Sequence, residues 1–283
     1  MKEKTRRLRK AQLTSFMRYL AENEKSRATC NKYLHDLRHF YAAMGETGEV
    51  TRACVLNYKE SLAQCYELTS ANSMLAALNC FFRFLGWQDL CVRRFPIQRD
   101  AYCKAEKELS REEYVRLLTA ARGKGRERLY LIIETICATG IRVSELRHVT
   151  AEAVREGEAR VRCKGKMRRV LIPRALQRKL LAYMAKEKVK TGSVFITKNG
   201  TCVNRSNIWR DMKALCNEAG VLPSKVFPHN LRHLFARTFY GIERDIAKLA
   251  DVLGHASIDT TRVYIMTSGE EHKRALARMH LIL

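Results

Sequence analysis

The chain has 283 residues, 46% of them hydrophobic and 8% aromatic, which provides apolar material for a core and the length of about two domains. Intrinsic disorder is therefore excluded as the main state. No apolar run approaches the roughly 20 residues that a bilayer crossing needs, and no apolar signal core follows the charged N-terminal segment MKEKTRRLRK. We therefore expect a cytoplasmic protein with no membrane partner.

Positive charge dominates the composition. Lys and Arg number 53 against 29 Asp and Glu, a formal net charge of +24. An excess of this size opposes compaction unless a polyanion offsets it, so nucleic acid is a more plausible reason for it than a solubilising surface. Residues 1–100 hold 17 basic and 10 acidic side chains and residues 101–283 hold 36 and 19, so both parts of the chain could contact that partner.

Ten cysteines are scattered along the chain, and none forms a CxxC pair. This spacing excludes a zinc finger, and a chain of this length does not need disulfides to be stable. Reduced thiols are therefore expected, and no metal site is predicted.

The first part of the chain has the apolar spacing of helices. One helix is expected around Leu13–Leu20. Three more are expected after the candidate N-caps Ser26, Thr51 and Ser70. Because the segment has no convincing strand pattern, residues 1–95 are predicted to form a small helical bundle.

The periodicity breaks over residues 92–107, a charged stretch that contains Pro96. We assign residues 96–107 as a linker and residues 108–283 as a second domain. Ser110 and Glu113 predict a capping box at the start of its first helix.

A β-hairpin with a basic tip is predicted in this second domain. Residues 159–163 and 169–173 have strand composition and flank the turn Lys164-Gly165-Lys166. The other expected elements are helices at 111–121, 126–138, 143–149, 174–188 and 204–219, a short strand at 194–197, and helices from Pro228 onward with breaks near Gly241, Gly254 and Ser268. The predicted fold class is mainly α with a small β-hairpin, so that the second domain is α+β.

The segment ATGIRVSEL places an arginine at a predicted helix start. Gly140 ends one helix and Arg142 begins the next. The helix dipole disfavours a cation there, whereas an anion shared by the guanidinium and the helix amides would explain its position. Glu145 lies three residues on and can hold Arg142 by a charge-assisted hydrogen bond. An ordinary surface ion pair is the alternative.

The segment HNLRH places His229, Arg232 and His233 on one helical face. Two histidines four residues apart could ligate zinc, but the metalloprotease pattern needs Glu directly after the first, and Asn230 stands there. A phosphate site made of Arg and His fits these residues better.

Two further signals are weak by themselves. Lys164 lies on a glycine turn, where a lysine is usually only solvated, and His255 in LGHAS precedes Tyr264 by nine residues. The combination of these motifs, in this order along the chain, is more specific than any one of them. The succession of Arg, Lys on a β-turn, HxxR, LGH and Tyr resembles the tyrosine recombinases, the phage-integrase and Xer-type family, over nearly the whole chain. The segments ATGIRVSEL, HNLRH and LGHASIDTTRVY carry this resemblance.

The resemblance implies a helical, SAM-like core-binding domain at 1–95 and a catalytic domain at 108–283 with a C-terminal oligomerisation tail. It also implies a site-specific DNA recombinase that cleaves and rejoins strands through a 3′-phosphotyrosine intermediate. Tyr264 would be the nucleophile. Arg142 and Arg232 would bind the non-bridging phosphate oxygens, and Lys164 would protonate the departing 5′-oxygen.

The resemblance assigns supporting roles to the remaining motif residues. His229 would assist proton transfer at the tyrosine, and His255 would hydrogen-bond or position the phosphate. Glu145 would support the first arginine, and His233 would be structural or supporting. Lys166 lies two residues from the expected lysine and could compete with it. Other expected DNA contacts, made to phosphates, are Arg6, Arg7, Arg9 and Lys10.

The implied partner is double-stranded DNA with inverted-repeat core sites. The implied assembly on DNA is a homotetramer, or a heterotetramer with a related recombinase, joined through the C-terminal tail, and the implied location is the nucleoid. No cofactor is expected, because two arginines and a lysine supply the charge that Mg²⁺ supplies in other nucleases. A type IB topoisomerase-like relaxing enzyme and a catalytically idle DNA-binding relative remain alternatives. Mobile-element integration, chromosome-dimer resolution and DNA inversion also stay open as roles.

Overall fold

The computed structural model of the chain describes residues 5–45, 48–97, 108–163, 166–197, 199–255, 257–265 and 277–279. Contacts within the chain divide it into two units, Met1–Arg99 and Asp100–Leu283, and each unit has its own hydrophobic core. Most of the predicted linker 96–107, namely residues 98–107, lies outside the described part.

Four helices build the first unit. They are α1 (Lys10–Glu22), α2 (Arg27–Ala43), α3 (Arg52–Cys65) and α4 (Leu68–Phe84), followed by a 3₁₀ helix at Gln88–Leu90. The predicted caps Ser26 and Thr51 are confirmed, because each side chain accepts a hydrogen bond from a backbone N–H three residues on. The predicted cap Ser70 is wrong, since the N-cap of α4 is Glu67, three residues earlier, and the helix begins at Leu68.

The first unit also contains a short strand pair that the sequence pattern did not predict. β1 (Arg6–Arg7) pairs antiparallel with β2 (Glu49–Val50). Two residues are too few to show the alternation by which a strand is recognised. Gly48 lets the backbone before β2 lie close to Leu8, which follows β1. Its φ is +60°, and a Cβ there would lie 2.8 Å from the carbonyl oxygen of Leu8.

The second unit contains nine described helices and one hairpin. Its elements are α5 (Arg111–Gly123), α6 (Glu127–Thr139), a 3₁₀ helix at Val143–His148, α7 (Ala151–Glu156), β3 (Glu158–Cys163), β4 (Lys166–Leu171), α8 (Arg174–Lys186), α9 (Arg205–Lys213), α10 (Cys216–Ala219), a 3₁₀ helix at Pro223–Lys225, α11 (Pro228–Glu243), α12 (Ile246–Leu253) and α13 (Ile258–Ile265). The predicted capping box is confirmed: Ser110 Oγ accepts from Glu113 N, and Glu113 accepts from Ser110 N.

The predicted hairpin is confirmed, with Glu158 opposite Leu171 and Cys163 opposite Lys166. Its second strand runs over Lys166–Leu171 and not over the predicted 169–173, because Lys166, expected in the turn, pairs with Cys163. Its side chains alternate between the core and the solvent, as the two-residue period of a strand requires. Val170 is buried, whereas Met167 and Leu171 are exposed. Arg168 is therefore on the core-facing side, and only 12% of its side chain is exposed.

Three predicted elements of the second unit are wrong in detail. The helix expected at 143–149 is a 3₁₀ helix. The strand expected at 194–197 does not form; the segment has one isolated bridge, Ile196–Cys202, and a second bridge, Thr150–Ser193, precedes it, while Val194 and Phe195 pack in the core. The helix expected at 204–219 is interrupted between α9 and α10, although its buried residues keep helical spacing across the break.

The breaks predicted near the end of the chain have three outcomes. Gly254 has a left-handed φ of +65° and ends α12, as predicted. Gly241 does not end α11, which continues to Glu243 and stops at left-handed Arg244. Ser268 lies outside the described residues.

Helices dominate both units, and the described strands form only the β1–β2 pair and the hairpin. The predicted fold class, mainly α with a small hairpin, is confirmed. Among the described residues, no helix has both the length and the apolar character that a membrane span requires.

Candidate active site

Arg142 stands at the N-cap of the 3₁₀ helix, as the sequence predicted. Gly140 ends α6 in the left-handed region, and a Cβ there would lie 2.5 Å from the ring of Phe235, so the chain turns tightly at this point. The Arg142 backbone N–H donates to Glu145 Oε2, and the guanidinium donates to Oε1, both at 2.9 Å. Glu145 therefore fixes both the backbone and the side chain of Arg142.

Glu145 is 5% exposed and has a second arginine partner, Arg168, whose Nη2 donates to Oε2 at 2.6 Å. Burial raises the pKa of Glu145, but the hydrogen bond from the Arg142 backbone and the charges of the two arginines outweigh it and lower the pKa overall. The carboxylate therefore stays ionised. Arg168 was not predicted from the sequence, although a charged residue in phase with inward-facing Val170 was a usable signal.

Arg232 is 1% exposed, and its guanidinium joins three segments. Nη1 donates to the carbonyl of Gly140, and Nη2 donates to the carbonyl of Leu253 at 2.8 Å. Nη2 also lies 2.9 Å from His255 Nε2. Burial, assisted by the charge of Arg142, lowers the pKa of Arg232 to about 10, so the group remains charged at neutral pH.

These contacts fix the tautomer of His255. A guanidinium can only donate, so His255 Nε2 must be the acceptor, and the ring proton resides on Nδ1. Nδ1 lies 2.9 Å from the hydroxyl oxygen of Thr261, which is fully buried and accepts that proton's hydrogen bond. Neutral His255 thus holds Arg232 in place.

Tyr264 reaches this cluster from α13, and its side chain is 6% exposed. Its hydroxyl oxygen lies 3.4 Å from His229 Nε2. The ring centroid is 4.4 Å from that of His233 and 5.4 Å from that of His255, and the Arg232 guanidinium lies 5.9 Å from it. Five of the six predicted catalytic residues are therefore described, and all five lie in one cluster.

A cavity of about 350 Å³ opens beside this cluster, and its wall includes Arg142, His229 and Arg232. Arg205 and Trp209 of α9 also line this cavity, and both are exposed. Neither residue was predicted from the sequence, because nothing in the pattern of α9 distinguishes it from an ordinary surface helix. Three arginines around one opening favour an anion with several oxygens, such as a phosphodiester.

Two family models match the chain. The phage integrase family matches residues 107–271, and the phage integrase N-terminal SAM-like domain matches residues 13–89. Tyrosine recombinase XerA of Pyrococcus furiosus is 30% identical over 100% of this chain and 98% of its own length. The chain belongs to the phage integrase family of tyrosine recombinases. The predicted enzyme class, a tyrosine-type site-specific recombinase, is confirmed.

Solved structures of other tyrosine recombinases share the fold. XerH bound to its difH substrate before cleavage is 20% identical, with a TM-score of 0.68 over 95% of this chain and 84% of that one. A lambda integrase tetramer bound to a Holliday junction is 17% identical, with a TM-score of 0.71 over 90% of this chain and 76% of that one.

The remaining predicted site residues of the recombinase stay untested. Lys164 lies outside the described residues, and Lys166 is described only as the first backbone position of β4. The predicted phosphate contacts Arg6, Arg7, Arg9 and Lys10 belong to the first unit, at β1 and the start of α1. Their contact with DNA stays a prediction.

The recombinase is expected to lose stability as the pH falls from neutral to about 4. Burial first, then the charges of His229 and Arg232, lower the pKa of His233 from 6.5 to about 4, and burial with nearby arginines does the same to His255. A native state that binds protons more weakly than the unfolded chain is destabilised below the unfolded pKa, by about 1.4 kcal/mol per pKa unit for each group.

Urea unfolding between pH 7 and pH 4 measures this effect. We expect His233→Gln to reduce the pH dependence of the unfolding free energy, because the variant lacks one of the histidines whose pKa the fold lowers. His35→Gln is the control, since His35 is exposed. Equal slopes for His233→Gln and the wild type would contradict the assignment.

Proposed function

We propose that this recombinase cleaves and rejoins DNA with Tyr264 as the nucleophile. The observation that carries the proposal is the position of the Tyr264 hydroxyl, 3.4 Å from His229 Nε2 and beside a cavity walled by Arg142 and Arg232. The phenolic oxygen attacks the scissile phosphorus while the bond from phosphorus to the 5′-oxygen breaks. The products are a 3′-phosphotyrosine and a free 5′-hydroxyl, and the reverse attack reseals the strand without ATP.

The two arginines stabilise the negative charge that builds on the non-bridging oxygens. Arg142 is partly exposed, with 32% of its side chain accessible, and it can present its guanidinium to the cavity while Glu145 holds it. Arg232 is anchored by two carbonyls and a neutral histidine, so no carboxylate neutralises it among these partners. Fixed charges of this kind act without reorganising during the reaction.

Proton transfer follows from the ionisation states. Burial and the neighbouring arginines lower the pKa of His229, so the ring is neutral at pH 7 and accepts the tyrosine proton at Nε2. Lys164 donates the proton that the departing 5′-oxygen takes up. His255 already accepts from Arg232, so it positions that arginine and is not an acid.

The substrate we propose is duplex DNA carrying inverted-repeat core sites, bound by both units of the chain. The formal charge of +24 supports a polyanionic partner. We propose a tetramer on DNA, joined through the segment after Tyr264. The DNA-bound relatives XerH and lambda integrase support duplex binding, and the lambda integrase tetramer supports the assembly. The proposed tail lies largely outside the described residues, which beyond residue 265 are 277–279.

A suicide substrate tests the chemistry. Its top strand carries a nick close to the cleavage site, so that the short 5′-hydroxyl fragment diffuses away and traps the covalent complex. We expect wild-type protein to form an adduct on the 3′-phosphate, at equal rates in EDTA and in Mg²⁺, because the charge comes from side chains. No adduct would support an idle DNA-binding relative. Relaxation of supercoils without exchange between two duplexes would support the topoisomerase-like alternative.

A further inference from the structure

Arg168 carries a positive charge toward the core from β4. The hairpin register places it in phase with Val170, and only 12% of its side chain is exposed. Its strand neighbour Arg169 points outward, with 74% of its side chain exposed. Burying a guanidinium is costly unless it gains partners that need its charge and its fork of donors.

One branch of Arg168 reaches the first phosphate-binding arginine through a carboxylate. Nη2 donates to Glu145 Oε2 at 2.6 Å, and the same oxygen accepts from the Arg142 backbone. The other oxygen, Oε1, accepts from the Arg142 guanidinium at 2.9 Å. Because a carboxylate is planar, fixing Oε2 also fixes the direction of Oε1. The direction of the Arg142 guanidinium therefore depends on Arg168.

The other branch of Arg168 reaches the turn that holds the second phosphate-binding arginine. Nη1 donates to the carbonyl of Val252 at 2.9 Å. The next carbonyl, that of Leu253, accepts from Arg232, and His255 on the same turn also contacts Arg232.

Gly254, at the centre of this turn, leaves room for the arginine stem. A Cβ at Gly254 would lie 2.2 Å from Arg168 Cδ. The glycine is therefore required twice, once by its φ of +65° and once by the packing of Arg168.

We propose that Arg168 is a positioning residue that sets the distance and orientation of Arg142 and Arg232 relative to one another. It does so from β4 by contacting both Glu145 and the carbonyl of Val252, which are more than 100 residues apart in sequence. The inference rests on the proposed function, since it assigns to Arg168 the alignment of the two side chains that bind the scissile phosphate. Arg168 does not line the cavity walled by Arg142 and Arg232, and its side-chain partners among the described residues are Glu145 and the carbonyl of Val252.

Arg168→Met tests the proposal, with Arg169→Met as the matched control. Both changes remove one guanidinium from adjacent residues of the same strand. Cleavage of the suicide substrate is measured at saturating protein, so that differences in DNA affinity do not enter the rate. We expect Arg168→Met to cleave about 100-fold more slowly than the wild type, because misplacement by about 1 Å costs that much, and Arg169→Met to stay within about threefold.

A neutral scissile group separates positioning from general loosening of the fold. A methylphosphonate at the cleavage site replaces one charged non-bridging oxygen by a methyl group, so aligned arginines contribute less to its cleavage. We expect the defect of Arg168→Met to shrink from about 100-fold on phosphate to below about tenfold on methylphosphonate. Glu145→Gln should show the same pattern. The double variant should lose far less than the product of the two defects, because both act on Arg142.

Equal defects of Arg168→Met on the two substrates would overturn the proposal, as would a rate equal to that of Arg169→Met. If Arg168→Met does not fold, Glu145→Gln carries the same substrate comparison. Failure of the proposed function looks different, since the wild-type protein itself would then form no adduct on phosphate DNA.

Discussion

Tyr264→Phe is expected to abolish the covalent protein–DNA adduct while leaving the fold and DNA binding intact. The phenolic oxygen is the only heavy atom that this change removes. Among the described residues of the cluster, no other hydroxyl lies beside His229 to act as the nucleophile in its place. Losing the nucleophile of a covalent mechanism lowers the rate by about 10⁴-fold or more, which brings the adduct below detection. Gel analysis of the suicide substrate after denaturation measures it.

The ring of Tyr264 explains why stability should survive this change. Its contacts with His233 and His255, at centroid distances of 4.4 and 5.4 Å, are made by carbon atoms that Phe retains. The hydroxyl contact with His229 is long, at 3.4 Å, and Arg232 keeps its hydrogen bonds to the carbonyls of Gly140 and Leu253, so the unfolding free energy should change by less than about 1 kcal/mol. Tyr240→Phe is the matched control, because Tyr240 packs against the same apolar cluster in α11. An adduct that persists in Tyr264→Phe and disappears in Tyr240→Phe would reassign the nucleophile.

Local signals in the sequence predicted most of the helices. A cap such as Ser26 or the Ser110–Glu113 box acts within four residues, and glycines such as Gly140 and Gly254 end helices by their own backbone freedom. The errors occur where tertiary packing decides. The segment 194–197 has the composition of a strand, but it forms only the isolated bridge Ile196–Cys202, and Val194 and Phe195 pack in the core without a strand ladder.

The candidate site was predictable as far as the motifs reached. The five described motif residues meet in one cluster, and no periodicity could have shown that they would, because the contacts join α6, α11, α12 and α13. Arg168 was not predicted because the family motif contains the lysine of the turn, whereas Arg168 is recognised only from its alternation with Val170 in the strand that follows. Arg205 was missed for a different reason: it reaches the cavity through the packing of α9, which has no local signature.

Arg232→Met is expected to lower cleavage by about 1,000-fold and to leave the unfolding free energy within about 1 kcal/mol of the wild type. The rate falls because Met keeps the length of the side chain but cannot stabilise charge on the phosphate. Stability is preserved because two effects oppose one another. The variant loses the hydrogen bonds to the carbonyls of Gly140 and Leu253, but it no longer buries a charge whose pKa burial has lowered to about 10.

Arg232→Lys separates charge from geometry. Lysine keeps the charge, but one ammonium cannot span the carbonyls of Gly140 and Leu253 together with His255, so cleavage should still fall by about 100-fold. Arg169→Met is the control, and a rate for Arg232→Met within tenfold of the wild type would contradict the role.

Mixing Arg232→Met with Tyr264→Phe adds a decisive comparison. Tyr264 lies over the Arg232 of its own chain, so a nucleophile that acts within one protomer predicts that the mixture forms no adduct. Recovery of the adduct would mean that one protomer donates its tyrosine to the arginines of another.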